Sequence, residues 1–277
     1  MEKKRLLIVT PELQPYNELS DIANLITSLP NQLAALDYDI RILMPKFGTI
    51  NERRHKLHEV VRLSGINVVF NDEDFPMMIK VASLPGSKYR LQIYFLDNDE
   101  FFKRKSDFHH EDGTFFEDNG DRSIFFNRGV LDTVKKFGWA PDVVLCHGWF
   151  TSLLPMYIKT LYSSDPLFAN SQVVYSIYNK AFDGEIGNDY HNKALLDNHI
   201  KKNHITPYGA ADHKGLNMGA IHFSDGVILA GDNIEKEVLQ FATKSGKPLF
   251  KLSDNDEVSE NYLDFLKTVE EAVDATA

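Results

Sequence analysis

The sequence predicts an α/β protein built on a doubly wound, largely parallel sheet, and three observations carry that prediction. A short apolar run, RLLIV, is followed by a helical pattern and then by a second apolar run, IRILM. The same alternation returns in the second half as PDVVLC, TSLLPMYIKTLY and SQVVYSIY. Between the two halves, residues 57 to 98 change to extended segments with Pro85 and Gly86 between two apolar stretches, which reads as an antiparallel hairpin insertion.

Taken in order, residues 6–9 form a buried strand. Leu19, Ile22, Ala23, Ile26, Leu29, Leu33 and Leu36 recur at spacings of three and four, the signature of a helix packed on a sheet. Residues 40–44 are the next strand, which completes a βαβ unit with a right-handed crossover. After a polar loop at 103–121, helical spacing resumes at Ile124, Phe125, Val130 and Val134. Strand, helix and strand follow at 141–146, 151–162 and 171–178. GLNMGAIHFSDGVILAG, from 215 to 231, gives a helix, a turn at Asp225 and Gly226, and a strand, with another helix from about 233 to 242. In the tail, Tyr262, Leu266, Val269 and Val273 share one helical face with acidic residues opposite, so this helix packs back on the domain or on a partner. The expected division is a domain at 1–245 and a C-terminal strand and helix at 246–277.

Composition narrows the function. The chain has 277 residues, 43% of them hydrophobic and 25% charged, which is the profile of a soluble globular protein. A formal net charge of -10 argues against nucleic acid or an anionic membrane as a partner, because phosphate backbones are met by clustered Lys and Arg. The one basic cluster, FFKRKSDFHH at 101–110, reads as a solvated loop. A single cysteine, Cys146, excludes an intrachain disulfide framework and fits a reducing compartment. The basic N-terminus carries too short an apolar run for a secretory signal, and no stretch is long enough to span a membrane, so the expected location is cytoplasmic.

Ligands of open α/β sheets collect beyond the carboxyl ends of the strands, so three loops matter: 11–19, 147–151 and 178–188. The first has the position of a phosphate cradle but contains no glycine through residue 30, where backbone amides would need to approach a phosphate. In the second, CHGWF, His147 can act as an acid or hydrogen-bond donor and Trp149 can stack on a sugar ring. The alternative is a histidine that caps the next helix and a tryptophan that fills the core. The third, YNKAFDGEIG, offers Tyr178, Asn179, Lys180, Asp183 and Glu185 as a polar rim, with Gly184 and Gly187 equally readable as turn residues. No histidine or carboxylate spacing suits a metal, and Cys146 and His147, adjacent on a strand, point to opposite faces.

These segments together resemble the N-terminal domain of bacterial glycogen and starch synthases, glycosyltransferases of GT-B architecture. The resemblance covers roughly residues 4 to 245 and rests on PELQPYNELSDIANLITSLPNQLAALDYDIRILMPKFG, FEDNGDRSIFF, GWAPDVVLCHGWFTSLLPMYIK, VVYSIYN and GLNMGAIHFSDGVILA. In particular, the chain is similar to short single-domain members from Bacteroidetes-type bacteria. The resemblance implies a single Rossmann-like half of a GT-B fold, no cofactor, and a family reaction that transfers glucose from ADP-glucose to an α-1,4-glucan.

The family's Lys-Thr-Gly-Gly segment, which meets the diphosphate and sugar, is replaced here by a shorter run from Tyr16 through Glu18 to Asp21. HGWF stands where the family has His-Asp-Trp-His, so His147 and Trp149 match while Gly148 and Phe150 do not. Ser176, Ile177, Tyr178 and Asn179 stand for Thr-Val-His-Asn. The resemblance therefore implies His147, Trp149, Tyr178, Asn179 and Asp21 as ligand-binding residues, and no catalytic residue. It also implies a chain inactive alone, because the nucleotide-binding second domain of the family is not in this sequence. The expected partners are an α-glucan or sugar nucleotide, with a second protein chain or a homodimer completing the site. The alternative is a non-catalytic glucan-binding or regulatory protein of glycogen metabolism. A partner-dependent enzyme should expose an apolar patch near Tyr16, Trp149 and Tyr178.

Overall fold

The computed structural model describes residues 3–196, 199–252 and 260–274. Strand β1 (Arg5–Val9) is followed by helix α1 (Asp21–Ala35), whose cap Ser20 accepts a hydrogen bond from the Ile22 amide through its side chain. Ile22, Ala23, Ile26, Leu29 and Leu33 are buried as their spacing requires. Leu19 and Leu36 lie outside the helix and are exposed, so the apolar stripe is shorter than the sequence pattern. Strand β2 (Asp39–Pro45) runs parallel to β1, with Ile8 opposite Ile42.

The extended region holds the short helix α2 (Glu52–His55) and strands β3 (His58–Glu59), β4 (Ile66–Phe70), β5 (Glu73–Ser83) and β6 (Gln92–Asp97). The hairpin around Pro85 and Gly86 joins β5 to β6 antiparallel. However, β6 also pairs parallel with β2, so this arm of the hairpin is a strand of the main sheet. A second hairpin, which the sequence pattern did not reveal, joins β4 to β5 through Asn71 and Asp72. Both residues have positive φ, 54° and 57°, as a type I′ turn demands.

The second half contains α3 (Asp99–Phe102), α4 (Asn119–Phe137), β7 (Val143–His147), α5 (Leu153–Lys159), β8 (Gln172–Ile177), α6 (Tyr190–Ala194) and α7 (His213–Phe223). It ends in β9 (Gly226–Leu229), α8 (Lys236–Lys244), β10 (Leu249–Lys251) and α9 (Glu260–Asp274). The sheet order is β10-β9-β8-β7-β1-β2-β6-β5-β3, with β4 on β5. Strands β1, β2, β6, β7, β8, β9 and β10 are mutually parallel. The chain leaves β1 toward β2 on one side and enters β7 on the other. That reversal opens a crevice at the carboxyl ends of β1 and β7.

Beyond residue 245, β10 extends the same sheet, and Tyr262, Phe265, Leu266 and Val269 of α9 are buried. A Cβ on Gly226 would lie 2.5 Å from Val269 Cγ2, a measure of how closely α9 approaches β9. No helix among the described residues is long and apolar enough to cross a membrane.

Candidate functional site

The crevice is a cleft of about 340 Å³ at the carboxyl ends of β1, β7, β8 and β9. All three loops singled out from the sequence reach its wall, joined by residues 106–109 and by α7.

The first loop spends its hydrogen-bonding capacity on itself. Thr10 Oγ1 donates to the Glu12 carbonyl at 2.8 Å and accepts from the Glu12 amide at 3.2 Å. Asn17 accepts from the Leu13 amide and donates to the Pro11 carbonyl. The Glu12 side chain is 3% exposed, and its carboxylate accepts from the amides of Leu19 (2.9 Å) and Ser20 (2.7 Å) and from the Ser20 hydroxyl (2.9 Å). An internal carboxylate thus occupies the amides at the entrance of α1, where the helix dipole favours an anion. Burial raises the Glu12 pKa, against the lowering effect of those three donors. Asp21 is the first residue of α1; its side chain lies outside the described residues.

In the second loop, His147 is fully buried at the end of β7, and its Nδ1 lies 2.9 Å from the Tyr178 hydroxyl. It stands behind Tyr178 and does not line the cleft. Burial pushes its pKa down to about 3, so the imidazole is neutral, and burial likewise keeps the Tyr178 phenol protonated. Trp149 unites the two readings of its role. Its ring packs 5.0 Å from Phe108 and from Phe182 and 5.2 Å from Phe150, and one edge of this core residue reaches the cleft.

Between them, Gly148 has φ 72° and ψ 173°, a conformation open almost only to glycine. A Cβ there would also lie 2.9 Å from Ile22 Cδ1. The backbone at this position therefore excludes a carboxylate side chain. Tyr16, Trp149 and Tyr178 are 5%, 6% and 7% exposed, while Leu19 on the same wall is 44% exposed.

In the third loop, the Asn179 side chain lines the cleft and accepts from the Asn233 amide at 2.7 Å, which ties the end of β8 to the approach of α8. Lys180 lines the rim and pairs with the solvated Asp183.

Sequence reasoning missed Asp107, His213, Asn217 and Glu235. The 101–110 cluster is not wholly a solvated loop, because Asp107 and Phe108 turn inward and are buried. Asp107 accepts from the Thr49 hydroxyl, and burial raises its pKa. His213, 5% exposed in the first turn of α7, holds Glu235 at 2.7 Å through Nδ1, while burial pulls its pKa down more than Glu235 lifts it. The Asp-His pair opening α7, with Asp212 capping the helix, was the available signal. Among the described residues, the charges in or behind the wall include Glu12, Asp107 and Glu235 on the acidic side, with Lys180 on the rim and the buried Arg122 behind Phe108 on the basic side. Cys146 is fully buried and its thiol pKa is raised, so it offers no nucleophile.

The starch synthase catalytic domain family matches residues 5–249 of the chain. The chain is 40% identical over 178 residues to a glycogen synthase of Chlorobium limicola, a match covering 63% of this chain and 36% of that protein. It is 36% identical over 194 residues to a glycogen synthase of Chlorobium chlorochromatii, covering 70% of this chain and 39% of that protein. The chain therefore spans little more than a third of the length of these curated relatives. In fold it is similar to the catalytic domain of starch synthase IV from Arabidopsis thaliana, solved bound to ADP and acarbose. The TM-score is 0.73 at 16% identity, covering 93% of this chain and 52% of that one. The likeness is to one Rossmann-like half of a GT-B fold.

Proposed function

The chain belongs to the starch synthase catalytic-domain family, and from that premise we propose that it binds α-glucan in the cleft and does not by itself transfer glucose from ADP-glucose. The observation that carries this reading is the Glu12 carboxylate seated on the amides of Leu19 and Ser20. A diphosphate brought to the same helix entrance would meet a buried negative group in a medium of reduced dielectric and find the Leu19 and Ser20 amides already used. Stabilising a departing diphosphate requires fixed positive groups. The cation on the rim, Lys180, is paired with Asp183.

What remains in the wall suits an uncharged, hydroxyl-rich ligand. The Trp149 edge offers an apolar contact for a sugar ring, and the Asn179 side chain, whose oxygen is taken by the Asn233 amide, offers N–H donors. The glycogen synthases to which the chain is similar supply the ligand class. The buried Tyr16, Trp149 and Tyr178 favour this reading over one in which a partner docks on that face. With Cys146 as its one thiol, the proposed setting is the cytoplasm.

The test has two arms. In the first, the purified chain is incubated with glycogen and labelled ADP-glucose or UDP-glucose beside a two-domain synthase; incorporation is expected to stay at background, and incorporation above it overturns the inactive half of the proposal. In the second, affinity electrophoresis through glycogen or amylose gels should retard the chain, and Asn179→Ala should relieve the retardation. Migration unaffected by glucan overturns the binding half.

A further inference from the structure

On the pole of the sheet opposite the cleft, at the amino-terminal ends of β2 and β6, lies a groove of about 380 Å³. Its wall carries Arg41, Arg90 and Lys3 together with three half-buried tyrosines, Tyr38, Tyr89 and Tyr94. We propose that this groove is a second ligand site, for a small phosphomonoester whose phosphate is held by Arg41 and Arg90 and whose ring lies against the tyrosines.

Arg41 is the central observation. Its guanidinium carbon lies 4.3 Å from the centre of the Phe137 ring and 4.6 Å from that of Trp139. Both rings act on the guanidinium as cation–π partners, which holds the group while leaving its N–H donors unspent. Among the described residues it makes no hydrogen bond or ion pair. None of its nitrogens is buried without a partner, so these donors are open to solvent and to a ligand in the groove.

One acid, Asp39, stands in the same wall, and a second, Asp37, lies beside it. Asp39 accepts from the Trp139 indole at 2.8 Å, and Asp37 pairs with Lys3. Burial lowers the Arg41 pKa, and neighbouring Arg5 and Arg62 lower it further, against Tyr94 and Asp39. The wall carries Arg41, Arg90 and Lys3 against Asp39, a basic excess on a chain whose net charge is -10. Arg90, exposed and held at a φ of 52°, brings a second guanidinium to the same wall.

Two planar forks favour an anion that accepts bidentate hydrogen bonds, and phosphate is the common small one. The three phenol rings add walls for a sugar or a base. Both sources share the phosphomonoester, and the experiment separates them. This site is independent of the cleft, so it stands or falls without the glucan-binding reading.

The test is calorimetric titration of the full chain with inorganic phosphate, glucose 6-phosphate and AMP at low ionic strength. One of the esters is expected to bind at least about tenfold more tightly than inorganic phosphate, and which one does so names the ring. Arg41→Met should abolish the heat, and Arg90→Ser, at an exposed position that leaves the fold intact, should weaken binding several-fold with an unchanged melting temperature. Absence of saturable heat with all three probes overturns the proposal. So does equal affinity for phosphate and both esters, or binding that survives Arg41→Met and Arg90→Ser undiminished.

Discussion

His147 shows how burial at a single residue decides which chemistry is open. The sequence placed it at a strand end where an imidazole could serve as an acid. Full burial moves its pKa from 6.5 to about 3, so it acts as a neutral partner of Tyr178. Between those two values the unfolded chain binds more protons than the folded one, so this residue's contribution to stability is complete above about 6.5 and is lost as pH falls toward about 3. Glu12 works in the opposite sense: its folded pKa is raised above 4.5, and stability declines as pH rises through that window. The two overlap, so a variant is needed to separate them. His147→Gln keeps an amide opposite the Tyr178 hydroxyl without a titrating ring. We expect its denaturant midpoint to fall less steeply than the wild type's as pH is lowered through 6.5; equal slopes would assign the acid sensitivity to other groups. The positions of Trp149, Tyr178 and Asn179 on the cleft wall were legible because each sits at or just beyond the end of an apolar run, whereas His147 at the same strand end lies behind the wall. Glu12, Asp107 and Glu235 were not, because each becomes part of the site only when the topology closes distant loops on one another. A lone carboxylate in a polar stretch looks solvated until its partners are known.

At the scale of the element, the parallel strands were readable because strands buried on both faces are continuous apolar runs, as RLLIV and QVVYSI are. Their partners were not, and β6 shows why: the sequence marks a strand after the Pro85 turn, but only the sheet order reveals that it lies beside β2. Helix α7 raises a related problem, since GLNMGAIHF carries two glycines where a helix former would be expected. The structure supplies the reason. An ideal Cβ on Gly219 would lie 2.4 Å from the Tyr208 ring, and one on Gly215 2.1 Å from the Tyr208 carbonyl oxygen. Tyr208 is fully buried, with its hydroxyl donating to the Ser152 carbonyl at 2.8 Å, so it has no room to withdraw. Gly219→Ala should therefore destabilise the protein by about 1–3 kcal/mol through overpacking, overriding the gain of about 1 kcal/mol that alanine offers an unhindered helix. Equilibrium unfolding in urea measures the difference. A neutral or stabilised variant would mean that α7 and the 206–208 turn are free to separate.

For the whole molecule, the open question is where the folding unit ends. The sequence suggested a domain closing at residue 245, with a strand and helix packed on it. In the structure β10 adds to the same sheet beside β9, and α9 buries Tyr262, Phe265, Leu266 and Val269 while Lys4 near the start of β1 holds Glu270 at 2.5 Å. We propose that the segment after residue 245 is part of the cooperative unit and no detachable appendage. Four buried apolar side chains contribute roughly 1.5–3 kcal/mol each, while the net stability of a whole domain is only about 5–15 kcal/mol. Removing them would also uncover the face of β9 at Gly226, where the Val269 side chain leaves no room for a Cβ. A chain ended at residue 245 is therefore expected to lose most of its stability, with a broadened or absent thermal transition and protease sensitivity spreading into β9. The intact chain should unfold in one step. A truncated chain that melts sharply and close to the temperature of the intact one would place the boundary at 245 and reduce α9 to a cover, because a helix whose loss leaves the sheet cooperative cannot be holding it together.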